Sequence, residues 1–203
     1  MNKKDILIVC ALKVETQGQL DKYFDDERQI LYTGVGKVNA TLKLTQRLHS
    51  SHLHYMPIMP KLVINYGTAG SRKIKKKTLV DCTKFIQRDM DVTGLGFMRG
   101  ETPFEQDPPF IIQQQNVEFN PIGRNATCGT GDNFAEDKSQ YYGEVVDMEA
   151  YALAKVCYLY DVPFISFKYI TDGADEQAHE DWEANLADGI EVFKEKILNE
   201  IKR

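Results

Sequence analysis

The sequence predicts an α/β fold: three layers, α/β/α, with helices on both faces of a central, mostly parallel, twisted mixed sheet. Two observations predict it. Short apolar runs rich in β-branched and aromatic residues alternate with stretches of helical periodicity. The runs also lack the strict polar alternation of a half-solvated sheet, which is the pattern of strands covered on both sides.

The runs come in order as Ile6 to Ala11, Gln29 to Thr33, Lys61 to Asn65, Leu79 to Phe85 and Pro163 to Ile170. Each is short and ends near Gly, Thr or Asp, as strands do. Val38, Leu42, Thr45 and Leu48 mark one face of a helix, and Met148, Tyr151, Ala152, Val156 and Leu159 another. Trp182, Leu186, Ile190, Phe193, Ile197 and Ile201 form an apolar stripe that predicts one long C-terminal helix. The segment from Glu101 to Asn125, with four prolines and three consecutive glutamines, reads as a loop with one strand embedded near Phe110 to Gln113. No internal repeat or long linker interrupts the chain. A single domain over residues 1–203 is the expectation.

Bulk properties narrow the function classes. A formal net charge of −5 argues against a general nucleic-acid binder, which needs excess basic residues to displace phosphate counterions. Cys10, Cys82, Cys128 and Cys157 lie far apart with no C-x-x-C pair, which fits reduced thiols in a cytoplasmic protein. Lys3 and Lys4 before the apolar Ile6-to-Leu12 run imitate a secretory signal, but Lys13 and Glu15 follow at once without a small-residue cleavage site. No apolar stretch approaches the length of a membrane span, so no membrane partner is expected.

Polar or glycine-rich clusters follow the predicted strands: Glu15; Gly34-Val-Gly-Lys37; Gly67-Thr-Ala-Gly70; and Thr171-Asp172-Gly-Ala-Asp175. A fifth, Asp147-Met148-Glu149, opens the helix beginning near Met148. In an open α/β sheet such points converge on a crevice beyond the carboxyl ends of the strands. Taken singly, each has a bland reading as a tight turn or a helix cap.

Together and in this order they resemble a known family. Ile64-Asn-Tyr-Gly-Thr-Ala-Gly70, Gln87-Arg-Asp-Met-Asp-Val-Thr-Gly-Leu-Gly96, Gly131-Asp-Asn-Phe134, Val146-Asp-Met-Glu-Ala150 and Tyr169-Ile-Thr-Asp-Gly-Ala-Asp175 are similar to blocks of the purine nucleoside phosphorylase superfamily. Within it the chain most resembles the 5′-methylthioadenosine/S-adenosylhomocysteine nucleosidases. The resemblance implies that Asp172 is the general acid at purine N7, that Glu149 grips the ribose hydroxyls and that Met148 packs on the sugar. It implies that Glu15 orients the attacking water with help from Thr68, and that Ala69 and Gly70 of the same turn line the substrate site. It places Phe134 on the base, the backbone of Ala135 at the base edge, Val35 near the sugar, and Thr171 and Lys168 among the substrate-binding residues. Val92, Leu95, Phe97 and Pro103 would line the pocket for the 5′ group, from this chain or a neighbouring subunit. A homodimer is expected because superfamily members complete their pockets across a subunit contact. The partner implied is a small purine nucleoside, with no metal and no organic cofactor.

Chemistry gives independent reasons for these residue types. Glycosidic cleavage develops positive charge on the ribose and negative charge on the leaving purine. Carboxylates beside the sugar relieve the first and a proton donor at the base relieves the second. Water is favoured over phosphate as nucleophile because Tyr66 precedes Gly67 and the first loop offers acidic Glu15, which repels an anion. Lys13, Lys37 and Lys168 keep a phosphorylase as the alternative, and a nucleoside-binding module of low turnover is a third reading. Departures from the nucleosidase pattern bear on substrate identity. Lys168 stands where Arg is common, the segment between Glu15 and Leu31 is short, and the regions Pro103 to Asn125 and Phe134 to Glu144 are trimmed.

Several features carry no assigned role. His49, His52 and His54 lack an acidic or thiol companion and read as a solvated helix end. Arg72-Lys-Ile-Lys-Lys-Lys77 reads as a solvated turn, and Trp182 as part of the core stripe.

Overall fold

The computed structural model describes residues 1–24, 26–52, 59–105, 111–113 and 117–201, without the side chains of 51, 52 and 111. Among these residues one eight-stranded mixed sheet organises the chain. Its strands are β1 (Ile6–Cys10), β2 (Ile30–Tyr32), β3 (Leu62–Gly70), β4 (Leu79–Gln87), β5 (Ile111–Gln113), β6 (Ala126–Thr130), β7 (Val145–Asp147) and β8 (Phe164–Asp172). The helices are α1 (Lys13–Thr16), α2 (Leu20–Tyr23), α3 (Lys37–His52), α4 (Ala150–Leu159), α5 (Ala178–Asn185) and α6 (Gly189–Lys196).

Strands β2, β1, β3 and β8 run parallel in that order, and β4, β6 and β7 form further pairs, parallel for β4–β6 and β6–β7. Two antiparallel seams close the path: β8 lies against β4, and β3 meets β7 at Gly70 and Val146. Strands β3, β8, β4, β6 and β7 therefore make a ring, and β5 adds to β4 antiparallel. The mixed α/β class agrees with the sequence expectation. The ring closure does not appear in it.

Side chains alternate across β1: Leu7 and Val9 enter one core cluster, Ile6, Ile8 and Cys10 the other. The first cluster packs under α3 and α4 through Ala40, Leu44, Leu48, Leu153 and Val156. The second packs under α2 and α6 through Leu20, Ile190, Phe193 and Ile197. Burial on both faces explains why the strands read as near-continuous apolar runs.

Several expectations are corrected. The inward face of α3 is Ala40, Leu44 and Leu48, whereas Val38 and Leu42 are 77% and 51% exposed. Leu159 is likewise exposed at the end of α4. The single C-terminal helix is two, α5 and α6, separated near Leu186 to Asp188. Strands β6 and β7 were not foreseen, because Ala126-Thr-Cys-Gly-Thr130 lacks large apolar residues and Val145–Asp147 is only three residues long, too little to show a period. The embedded strand covers Ile111–Gln113; Phe110, His54 and the side chain of His52 lie outside the described residues. The basic run is a turn tied to the C-terminal helices by Lys76–Asp181 and Lys77–Asp188 ion pairs. All four cysteines are unpaired and buried, and no helix among the described residues is long and apolar enough to cross a membrane.

Candidate active site

The carboxyl ends of β1, β3, β7 and β8 open on one cavity of about 570 Å³, counting its open mouth. Glu15, Glu149 and Asp172, distant in sequence, all line it. Each is held there by donors that the local backbone supplies.

Glu15 sits on the single turn α1, just after β1, and is 4% exposed. Its Oε1 accepts from the backbone N–H and the hydroxyl of Thr68, both at 2.9 Å, and its Oε2 accepts from the Leu12 N–H at 3.0 Å. The end of β3 therefore fixes the carboxylate on β1's loop.

Glu149 precedes α4 and is 8% exposed. Its Oε1 accepts from the Gly36 N–H at 2.9 Å. That reach depends on the Gly34-Val35-Gly36 turn, whose glycines have φ of +82° and +92°, a left-handed backbone that favours glycine. Burial and the neighbouring Asp147 carboxylate push Glu149 up to about 8. Asp147 itself faces inward, where Lys168 Nζ lies 2.8 Å from Oδ2, the Ala150 N–H donates to Oδ2 and the Thr130 hydroxyl to Oδ1. Burial alone would raise Asp147, but the Lys168 charge overcomes it and holds the carboxyl below its usual range.

Asp172 ends β8 and is 3% exposed. A register slip between Ala69 and Gly70 sets Asp172 opposite Gly70 and makes Thr171 the extra residue. The Thr171 hydroxyl donates to Oδ2 at 2.8 Å and the Ala174 N–H to Oδ1 at 2.9 Å. Burial raises the carboxyl above its ordinary value, with the nearby Asp181 and Asp175 charges adding to it, against those two donors. Gly70 is required for this packing: a Cβ there would overlap Asp172 and stand 3.1 Å from the Ala174 methyl.

Of the other expected residues, Thr68, Ala69, Gly70, Val35, Met148, Phe134 and Ala135 line the cavity. Phe134 is half-buried with its ring edge-on to His179. Two expected substrate contacts are placed elsewhere. Thr171 is fully buried behind Asp172, and Lys168 is committed to Asp147 beneath Glu149. Both support carboxylates instead of lining the cavity. Val92, Leu95, Phe97 and Pro103 do not line it in this chain either; they follow β4 at the surface, with Leu95 75% exposed and Phe97 packed edge-on against exposed Phe104.

Among the lining residues that escaped the sequence reading, Arg88 and Trp182 make the most telling contacts. Arg88, at the end of β4, is 2% exposed and its guanidinium binds Asn133 through Oδ1 and the carbonyl, and Gln140 through its carbonyl. It thereby clamps the loop that carries Phe134 and Ala135. The signal was an arginine ending an apolar strand inside a recognisable block. Trp182 faces the cavity from α5 and donates its indole N–H to the Thr68 hydroxyl at 2.9 Å. Its place in the apolar stripe concealed that contact.

Comparisons with known proteins agree with this fold. Residues 18–201 match the phosphorylase superfamily. The 5′-methylthioadenosine/S-adenosylhomocysteine nucleosidase of Haemophilus ducreyi is 31% identical over 187 residues, covering 83% of this chain and 77% of that protein. The like-named protein of an Exiguobacterium species is 33% identical over 168 residues, 74% of this chain and 69% of that one. Among solved structures, the Helicobacter pylori nucleosidase of the same name superposes with a TM-score of 0.76 at 20% identity, covering 99% of this chain and 100% of that one. Futalosine hydrolase from the same organism gives 0.76 at 21% identity, covering 97% of each. These two likenesses speak for the fold alone. The chain belongs to the phosphorylase superfamily, as a member of its 5′-methylthioadenosine/S-adenosylhomocysteine nucleosidase-like branch.

Proposed function

We propose that the protein hydrolyses the N-glycosidic bond of an adenine nucleoside of the methylthioadenosine, S-adenosylhomocysteine or 5′-deoxyadenosine type, with water as nucleophile. The observation that carries this reading is the meeting of Glu15, Glu149 and Asp172 around one cavity, each buried and each held by fixed donors.

Asp172, with its carboxyl raised, donates a proton to purine N7 as the bond from N9 to C1′ breaks. Phe134 stacks on the base and the Ala135 backbone reads its edge. Positive charge grows on the ribose, where Glu149 accepts from the sugar hydroxyls and Met148 packs against the ring. Glu149, whose carboxyl is raised in the free protein, ionises more readily once those hydroxyls donate to it. Water held at Glu15 and Thr68 adds its oxygen to C1′ and passes a proton to Glu15. No metal or organic cofactor enters this chemistry, because the nucleophile is water and the protonated purine takes the bonding electrons.

Phosphate would need a cation at the water position. The three lysines that sequence offers are engaged elsewhere: Lys13 with Asp21, Lys37 with Asp89 and Asp132, Lys168 with Asp147. The 5′ side is completed, in this reading, by a second copy of the chain in a homodimer, which brings Val92, Leu95, Phe97 and Pro103 of one subunit toward the cavity of the other.

Adenine release from adenosine, 5′-deoxyadenosine, methylthioadenosine and S-adenosylhomocysteine, with and without phosphate, tests the proposal. Release from a 5′-modified adenosine at the same rate in both buffers is expected. Release only in phosphate, or from none of the four, overturns it.

A further inference from the structure

The Thr68 hydroxyl joins Trp182 to Glu15. A hydroxyl has one proton to give and two lone pairs, whereas an indole N–H can only donate. With Trp182 Nε1 donating to Thr68 Oγ1 at 2.9 Å, that oxygen is an acceptor on one side. Its proton is left for Glu15 Oε1, also at 2.9 Å. The Thr68 backbone N–H takes a second position on Oε1 and the Leu12 N–H one on Oε2. A carboxylate has about four acceptor positions, so roughly one remains on Glu15, and one lone pair remains on Thr68.

We infer that Trp182 is a positioning residue that fixes the polarity of the nucleophile's site, so that the cavity wall formed by Glu15 and Thr68 offers a water molecule acceptors only. This rests on the hydrolytic reading above. A water placed against that wall gives one hydrogen to Glu15 and one to Thr68. Its lone pairs are thereby turned to the cavity, toward the carbon to be attacked. Without the indole N–H, only the Glu15 carboxylate directs the Thr68 proton, and whenever that proton turns to the water, the water turns a hydrogen outward. The carboxylate stays in place in either case, since backbone N–H groups hold it independently of Trp182. Trp182 therefore acts on the approach of water and not on the grip of the nucleoside.

The test is a double-mutant cycle in base release: wild type, Trp182→Phe, Thr68→Ala and the double variant, each with kcat and KM. Trp182→Phe keeps an aromatic wall and removes only the donor. A fall in kcat on the order of 10-fold or more is expected, with KM little changed, because misaimed reactants lose rate and not affinity. Thr68→Ala loses turnover too, and adding Trp182→Phe to it costs nothing further, since the indole has no hydroxyl left to orient. Trp182→Leu replaces Trp182→Phe in the same cycle if the latter fails to fold. Unchanged kcat in Trp182→Phe, a loss confined to KM, or losses that multiply in the double variant overturn the inference. A wild type without water-dependent turnover overturns the hydrolytic reading instead, so the two failures are told apart.

Discussion

Lys168 and Asp147 form an ion pair of 2.8 Å in which each side chain is only 1% exposed. Burial would lower the lysine, but the Asp147 charge above all holds it raised and cationic. Both charges reach the neighbouring Glu149 carboxyl, Asp147 raising it and Lys168 lowering it.

Removing one partner leaves the other charged and dry. Lys168→Met is expected to lower unfolding stability by about 3–5 kcal/mol, with Lys168→Met/Asp147→Leu recovering much of the loss. Urea unfolding of the single and double variants measures both. A single variant as stable as wild type contradicts the pairing.

Glu149 links stability to pH. Its carboxyl goes from an ordinary 4.5 to about 8 in the fold, so between those values the folded chain binds more protons than the unfolded one. Stability from this group is complete below the lower value and is lost as pH rises toward the upper one. Glu149→Gln is expected to flatten that fall and to stabilise the protein at pH 8 relative to wild type. Unfolding curves at pH 5, 6.5 and 8 read it directly.

Gly70 guards the acid. Because a methyl group there would overlap Asp172, Gly70→Ala is expected to displace the carboxyl and cut kcat by on the order of 100-fold. Overpacking of this kind costs about 1–3 kcal/mol of stability, which a thermal melt detects. Full activity in Gly70→Ala means Asp172 tolerates displacement.

Under the proposed mechanism, Asp172 is expected to supply the alkaline limb of the pH–rate profile. Its raised carboxyl keeps its proton to higher pH than an ordinary aspartate, and turnover falls once that proton is lost. Asp172→Asn is expected to lower kcat by roughly 10²–10⁴-fold and to abolish the limb. Near-normal turnover in the variant removes Asp172 from the acid role.

The long elements were legible because their residues are buried on both sides: β1, β3, β4 and β8 appear in the sequence as apolar runs. Their ends were less so, since β3 continues through Tyr66 to Gly70 and β8 through Asp172, where polar and small residues serve the site. On α3 the eye follows the larger Val38 and Leu42, while the buried stripe runs through small Ala40. The carboxylates were legible from polar clusters at successive strand ends, taken together and in order, and from the family resemblance those blocks carry. The second layer was not visible: that Thr171 and Lys168 turn away from the cavity, that Arg88 clamps the loop of Phe134, and that Trp182 reaches Thr68 are consequences of strand register and helix placement. No local spacing encodes them.

Single-turnover cleavage of methylthioadenosine in oxygen-18 water, by wild type and by Glu15→Gln, bears most directly on the three-carboxylate site. One heavy oxygen in the released sugar is expected, with cleavage slowed by at least about 100-fold in the variant. A sugar phosphate without the label, or a variant as fast as wild type, would contradict water activation at Glu15.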